Sequence, residues 1–388
     1  MTAPAAPRFL QIHFLTSYPA VLLNRDDTGA AKRLPYGGVS RTRISSQSLK
    51  RHWRKAQDEW QLGAIGAPMA ERSRHALEML VMPGVSGPAE IVEAARVAMA
   101  RLLYGDKSVE VKSRQALLLG AGEIAFLTKA LQEAVTASAN AKDVEAALKG
   151  KFGKGPGKQN LASLRASSKL AAGLESAMFG RMVTSDPEAN TDAAIHVAHA
   201  FTVHAEESES DYFTVVDDLT QAAGESGAGG IFETELTSGL FYGYVVVDIP
   251  GLVGNLGGNH ALAGKVVEHM MHLIATVSPG AKKGSTAPYA FAELMLAELG
   301  SRQPRSLAGA FRAPVQMVGD SLLSALSSLS DHMTRFDAAY GVKEQRAMLC
   351  RAAATLPGTQ PPGTLDALAS WAAQAVAASH TATVQAPA

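Results

Sequence analysis

Between Thr28 and Gln57 the chain carries eight cationic side chains, Lys32, Arg33, Arg41, Arg43, Lys50, Arg51, Arg54 and Lys55, and no Asp or Glu. Such a stretch has two readings: a track for an anion, or a solvated face with ordinary surface cations. Its second half adds geometry. Ser45 or Ser46 caps a predicted helix that runs to about Trp60. Free N–H groups and the positive dipole end make such a terminus favourable to a phosphate. Leu49, Trp53, Ala56 and Trp60 recur at helical spacing toward a core, which leaves Gln47, Lys50, Arg51 and Arg54 on the opposite side. A capped start followed by cations one and two turns along would hold successive phosphates.

Other reactive groups give no defined site. Asp26-Asp27 invites a metal-nuclease reading, against which stand salt bridges that position the adjoining Arg25. His196 and His204 share one face of a predicted strand while His199 points to the other, and no cysteine is near to complete a zinc set. His269 and His272 lack the HExxH pattern. The glycine run Gly251 to Gly264 before Lys265 fails the phosphate-loop spacing and has Val266 in place of Ser or Thr. Cys350 is the only cysteine, so there is no internal disulfide, and it reads as a buried apolar residue. No catalytic residue, metal or cofactor is expected. A second basic stretch, with Lys149, Lys151, Lys154 and Lys158 among glycines, is open between contact with DNA and a solvated mobile loop.

The elements that must position these groups follow from periodicity. Phe9 to Leu15 is a strand, and a loop rich in Gly and basic residues leads to Arg43. From Gly63 to about Val183 the pattern is mostly helical. Ala194 to His204 is a strand, and Leu240 to Ile249 is an apolar one suited to a sheet centre. The thirty-odd residues between them have no core pattern and read as a functional excursion. Gly251 to Gly258 reads as a turn before a helix from about Ala261 to Val277, and Ala292 to Leu299 is open between helix and strand. A Pro/Gly linker, Pro357 to Gly363, precedes a short terminal helix. Without insertions the order is the α+β, ferredoxin-like βαββαβ plan, which RNA-recognition domains and many unrelated proteins share.

Composition bounds the reading. Of 388 residues 47% are apolar, enough for a real core, and 36 basic residues balance 36 acidic ones. That balance argues against coating nucleic acid by bulk charge and leaves a local groove. Met1 to Pro19 makes a poor signal peptide, and no apolar run is long enough to span a membrane, so a cytoplasmic location is expected.

Several longer words carry a resemblance: Asn24-Arg25-Asp26-Asp27, Arg43-Ile44-Ser45-Ser46-Gln47-Ser48-Leu49-Lys50-Arg51, Phe179-Gly180-Arg181-Met182-Val183, Asp211-Tyr212-Phe213-Thr214 and Pro279-Gly280-Ala281-Lys282. With these in order, the chain resembles CasC, the crRNA-binding backbone subunit family of the type I-E CRISPR Cascade complex; the C-terminal third is only loosely similar. The resemblance implies a right hand: a ferredoxin-like (RRM-like) palm (8–60, 190–204, 239–300), helical fingers (61–189), a β-hairpin thumb (205–238) and a C-terminal helical segment (301–380) packed on the palm. It implies a non-catalytic subunit that polymerises along crRNA, kinks it periodically and presents it to target DNA. Its implied RNA-binding residues are Arg25, Arg41, Arg43, Ser45, Gln47, Lys50, Arg51, Arg54 and Arg181, with Met182, Phe213 and Thr214 at the kink. Implied partners are other copies of itself, the large and small subunits, the 5′-handle-binding subunit, the crRNA-processing endonuclease and, indirectly, a helicase–nuclease. Related type III backbone subunits cut RNA with a loop aspartate, so the alternative is a metal-dependent nuclease using Asp26 or Asp27. Gly243 stands where related chains place a basic residue, and the acidic thumb (Glu206, Glu207, Glu209, Asp211, Asp217, Asp218) is expected to meet a neighbouring copy.

Overall fold

The computed structural model describes residues 6–105, 110–152, 172–182, 190–216, 228–342, 344–360 and 363–380. In chain order the strands are β1 (Phe9–Val21), β2 (Arg33–Tyr36), β3 (Val39–Ile44), β4 (Ala70–Ser73), β5 (Leu117–Gly120), β6 (Ile195–Val197), β7 (Ala200–Thr202), β8 (Glu207–Val216), β9 (Ala228–Asp248), β10 (Leu294–Gly300) and β11 (Gln345–Cys350). The first four helices are α1 (Ser46–Arg54), α2 (Ala89–Tyr104), α3 (Ala121–Ala137) and α4 (Ala141–Phe152). The chain divides into two units, one drawn from 1–62, 197–247 and 264–388, the other from 63–196 and 248–263. Residues 190–196 and 248–263 thus group with the second unit, whereas the sequence reading assigned them to the palm.

In the first unit the strands run in the order β11-β10-β1-β9-β7-β3-β2, with β8 paired to β9. The pairings β1/β10, β10/β11, β7/β9, β3/β7, β2/β3 and β8/β9 are antiparallel. Leu10, Ile12 and Phe14 fill one face of β1, while Gln11, His13 and Leu15 fill the other, and all six are buried. A strand covered on both sides reads as this one does, nearly continuous in buried character. Leu15, Tyr242, Leu294 and Leu296 pack against Leu307, Phe311, Leu326, Leu329 and Met333 of the C-terminal part. The polar members of that face form one network. The carboxylate of Glu298 accepts from Arg305 at 2.8 Å on each oxygen and from Arg346 Nε at 2.7 Å, and lies 3.1 Å from His13 Nε2. Burial alone would raise the Glu298 pKa; hydrogen bonds and charge from His13 and Arg305 reverse this and hold the carboxyl well below the usual range.

Five sequence expectations change here. The basic loop before α1 is a β-hairpin, β2 and β3, and α1 ends at Arg54 rather than near Trp60. The predicted Ala194–His204 strand is two pieces, β6 and β7, and between them Ala198 still donates its N–H to Tyr244 O of β9 at 2.9 Å. β9 is 21 residues long, so one arm of the excursion and the apolar strand after it are one strand. The C-terminal segment is not only helical, since β11 extends the sheet beside β10.

The second unit packs α2, α3 and α4 around Leu77, Met99, Leu127, Leu131, Val144 and Leu148. It is not all helical: β4 and β5 form a two-stranded antiparallel sheet. The glycine-rich Gly251–Gly258 run, expected as a turn, opens as a helix, Ile249–Asn255. Asp248 caps it by accepting from Gly251 N, and Pro250 stands in the first turn, where its missing N–H costs nothing.

Candidate nucleic-acid interface

The acid-free stretch folds into a cation-bearing corner of the first unit. Ser45 Oγ accepts from Ser48 N at 3.2 Å and starts α1, while Asn24 Oδ1 accepts from Ser45 N at 2.8 Å. The cap therefore fastens the Arg25 loop to the helix. Asp26 closes that loop: its Oδ1 accepts from Thr28 N at 3.0 Å, Thr28 Oγ1 at 2.8 Å and Ala30 N at 3.0 Å. The Thr28 hydroxyl first, then these amides, hold the Asp26 carboxyl below its ordinary pKa. Asp26 thus shapes the loop through its amides, where the sequence reading had weighed a metal ligand against a salt bridge to Arg25. Among the described residues no three His, Cys, Asp or Glu side chains gather as a metal set.

An open concavity of about 680 Å³ lies at this corner, lined by Arg25, Asp27, Ser45, Gln47, Arg51 and the Gly280–Ala281 backbone, among others. Gln47 and Arg51 face it four residues apart, one helical turn. Lys50 lies on an adjoining row. There, burial first and then the charges of Arg43 and Lys50 depress protonation of His199. Arg43 donates from Nε to Arg33 O at 3.1 Å and lies 3.0 Å from His199 Nδ1. The helix cations therefore form two neighbouring rows. Arg54, half-buried, lies one turn past Lys50. His52, missed from sequence, lies beneath the groove with Nδ1 2.8 Å from Ser48 O. Burial, then hydrogen-bonding, then the charges of Lys283 and Arg51 govern it, with the net effect of lowering its pKa. The Gly280–Ala281 stretch was also missed as a site element. Its signal was the Pro279-Gly280-Ala281-Lys282 word, which had served only as a point of resemblance.

Two expected RNA contacts are corrected. Arg41 has no exposed surface. Its guanidinium donates to Tyr36 O at 3.1 Å, Thr202 O at 3.1 Å and Phe311 O at 3.0 Å, tying hairpin, β7 and C-terminal part together. Arg181 is likewise internal to the second unit, with both terminal nitrogens on the Glu123 carboxylate at 2.6 and 3.0 Å. The next residue, Met182, is 73% exposed, as an apolar wedge must be. Of the second basic stretch, Lys149 and Lys151 belong to α4 rather than to a loop, and Lys151 Nζ pairs with Glu133 at 2.8 Å. Lys154 and Lys158 lie outside the described residues.

On the hairpin of β8 and β9, Phe213 stands directly across from Phe232, rings stacked with centroids 5.6 Å apart. Phe213 is 40% exposed and Thr214 is exposed. Lys282 Nζ lies 5.7 Å from the Phe213 ring centre and donates to Thr234 Oγ1 at 2.5 Å. Two acidic residues of the excursion are engaged inside the chain: Arg33 pairs with both Glu206 and Glu235. At Gly243 a Cβ would fall 2.0 Å from the Phe14 ring, so no side chain, basic or otherwise, fits there. The sheet face that carries Tyr242 is covered by the C-terminal part, which leaves no room for bases to stack on it.

The family model described as CT1975-like protein matches residues 10–374. No curated protein matches the chain. Among solved structures, a chain of a CRISPR RNA-guided surveillance complex, pre-nicking, is 25% identical with a TM-score of 0.74, over 94% of this chain and 100% of that one. Another, from a CRISPR RNA-guided surveillance complex, is 22% identical with a TM-score of 0.56, over 94% and 99%. The latter likeness is one of fold. Among the described residues no helix is long and apolar enough to cross a membrane.

Proposed function

We propose that this chain, which belongs to the CT1975-like protein family, is a non-catalytic backbone subunit of a CRISPR RNA-guided surveillance complex of the type I-E, Cascade kind. Copies of it line up along a crRNA, grip its phosphates, kink it at intervals and present the bases between kinks to target DNA. The observation that carries this reading is the groove in which Arg25, Gln47 and Arg51 converge beside a capped helix start. Phosphate contacts of this type hold register without reading sequence, as a protein that must accept any guide requires. Full-length similarity to a chain of an RNA-guided surveillance complex supports it.

In this reading β10-β1-β9-β7, with α1 after β1 and the helix His260–Thr276 after β9, is a ferredoxin-like palm. Its sheet face serves the C-terminal segment, and RNA runs past α1 instead. The β8/β9 hairpin is the thumb. Phe213 on the hairpin, exposed and apolar, wedges against a base at a kink with Thr214 beside it, and Met182 of the second unit, also exposed and apolar, serves as a wedge in the same way. Lys149 is the described cation of the finger stretch best placed for target DNA. The partners are crRNA, target DNA, further copies and the remaining subunits of such a complex, in the cytoplasm.

Binding of single-stranded RNA by Arg51→Ala across a salt series tests the track. Loss of one phosphate contact is expected to reduce the log–log salt slope by about 0.7, whatever the RNA sequence. An unchanged slope with unchanged affinity means the track is elsewhere. Incubation of the assembled complex with target RNA and magnesium tests the non-catalytic part: cleavage at regular intervals, abolished by Asp26→Ala or Asp27→Ala, overturns it.

A further inference from the structure

Arg33 belongs by sequence to the acid-free stretch, yet it does not line the groove. It stands on β2, and its guanidinium forks between two carboxylates from opposite arms of the β8/β9 hairpin root. Nε donates to Glu206, just before β8, and Nη2 donates to Glu235, on β9. Each carboxylate is held a second time. Glu206 accepts from Ser40 Oγ at 2.8 Å, and its own N–H donates to Ser40 O at 2.9 Å. Glu235 accepts from Ala31 N at 2.7 Å.

Ala31 is the far end of the loop that carries Arg25, bridged to it across the loop. Lys32 N donates to Asn24 O at 2.9 Å, and Asn24 in turn holds Ser45 N at the helix cap. A continuous set of hydrogen bonds thus runs from the hairpin root, through Glu235 and the Arg25 loop, to the start of α1.

We propose that Arg33 is a positioning residue: it clamps both arms of the hairpin to the β2 strand and holds the Arg25 loop in register with α1, and it makes no contact with nucleic acid. The clamp rests on the reading of the groove as an RNA track only for its consequence. The clamp itself is a property of the free chain. Removing Arg33 leaves both carboxylates without their shared cation, so the hairpin root loosens from β2 and Ala31 loses the fixed acceptor beside it. The Arg33 side chain is 38% exposed, so solvent screens both pairs and the effect is modest.

Amide hydrogen exchange on the RNA-free chain, wild type against Arg33→Ala, tests the clamp. About three- to tenfold faster exchange at Ala31 and the root of β8 and β9 is expected, as for loss of two screened ion pairs, with the β1/β10 amides unchanged. Unchanged exchange at Ala31 and the hairpin root overturns the proposal, whatever the chain does with RNA. Arg33→Lys keeps a positive charge between the two carboxylates and is expected to bring protection part of the way back toward wild type; no recovery also counts against the clamp. With single-stranded RNA, Arg33→Ala is expected to weaken binding about three- to tenfold at an unchanged salt slope. A slope lowered by about 0.7 would make Arg33 a phosphate contact and refute the proposal. If neither protein binds RNA, the functional reading fails while the exchange result still decides the clamp.

Discussion

Arg41 and Arg51 stand ten residues apart in one basic stretch, yet their replacement by alanine is expected to fail in opposite ways. Arg41 donates three hydrogen bonds of 3.0–3.1 Å to main-chain carbonyls, with no exposed surface. Burial lowers its pKa from the usual guanidinium value, a sign of the desolvation it bears. Charged hydrogen bonds contribute roughly 1.5–3 kcal/mol each, but the simple sum overshoots, because alanine also removes the cost of burying the charge. A net loss of about 3 kcal/mol remains, as three carbonyls each lose a charged donor. For a unit of this size that corresponds to a fall in melting temperature of roughly 6–12 °C. Arg51, exposed on α1, is expected to alter stability by no more than about 0.5 kcal/mol. In RNA binding the order reverses: Arg51→Ala loses about 0.7 of salt slope, and Arg41→Ala none. Thermal unfolding and an RNA titration at several salt concentrations read both. If Arg41→Ala melts like wild type and lowers the slope, the assignment of Arg41 to the interior is wrong.

Three further outcomes follow from the geometry. Phe213→Ala is expected to weaken RNA binding by roughly 1–3 kcal/mol with little change in slope, as loss of a stacking surface would; unchanged affinity removes Phe213 from the kink. Gly243→Ala places a methyl group 2.0 Å from the Phe14 ring and is expected to destabilise the first unit by about 1–3 kcal/mol or more, read by denaturant titration. His13, His52, His199 and His204 all have pKa values lowered by burial first, and for His13 this holds despite the neighbouring Glu298, Arg305 and Arg346 acting in both directions. A lowered folded-state pKa means the unfolded chain binds protons more readily, so stability is full above about pH 6.5 and declines as pH falls through it. Melting temperatures rising on acidification from pH 7.5 to about 5.5 would contradict this sign.

What could be read from sequence tracks what local pattern encodes. The β1 and β9 strands, the Ser45 cap and the burial of Leu49 and Trp53 follow from periodicity and capping chemistry, which act over a few residues. Arg41 and Arg181 were misjudged because a side chain's partners depend on distant chain. Phe311 O and Glu123 lie far away in sequence, and an arginine in a basic run looks the same whether it meets a phosphate or a carbonyl. The β2/β3 hairpin was read as a loop because glycines and cations masked two short strand patterns. The Gly251–Gly258 run was read as a turn because glycine weakens a helix, yet Asp248 and Pro250 supply its start. The Gly280–Ala281 stretch joins the groove only through folding. The division of helix cations into two rows could be read from the spacing of 47 and 51 against 50 and 54, and that is where helical geometry had most to give.

The central claim is that this chain coats a guide RNA by repetition of itself. Native mass measurement of complexes formed on single-stranded guides of increasing length tests it most directly. The number of chains bound is expected to rise in steps with RNA length, at a constant number of nucleotides per chain. A single chain per RNA, whatever the length, would contradict it.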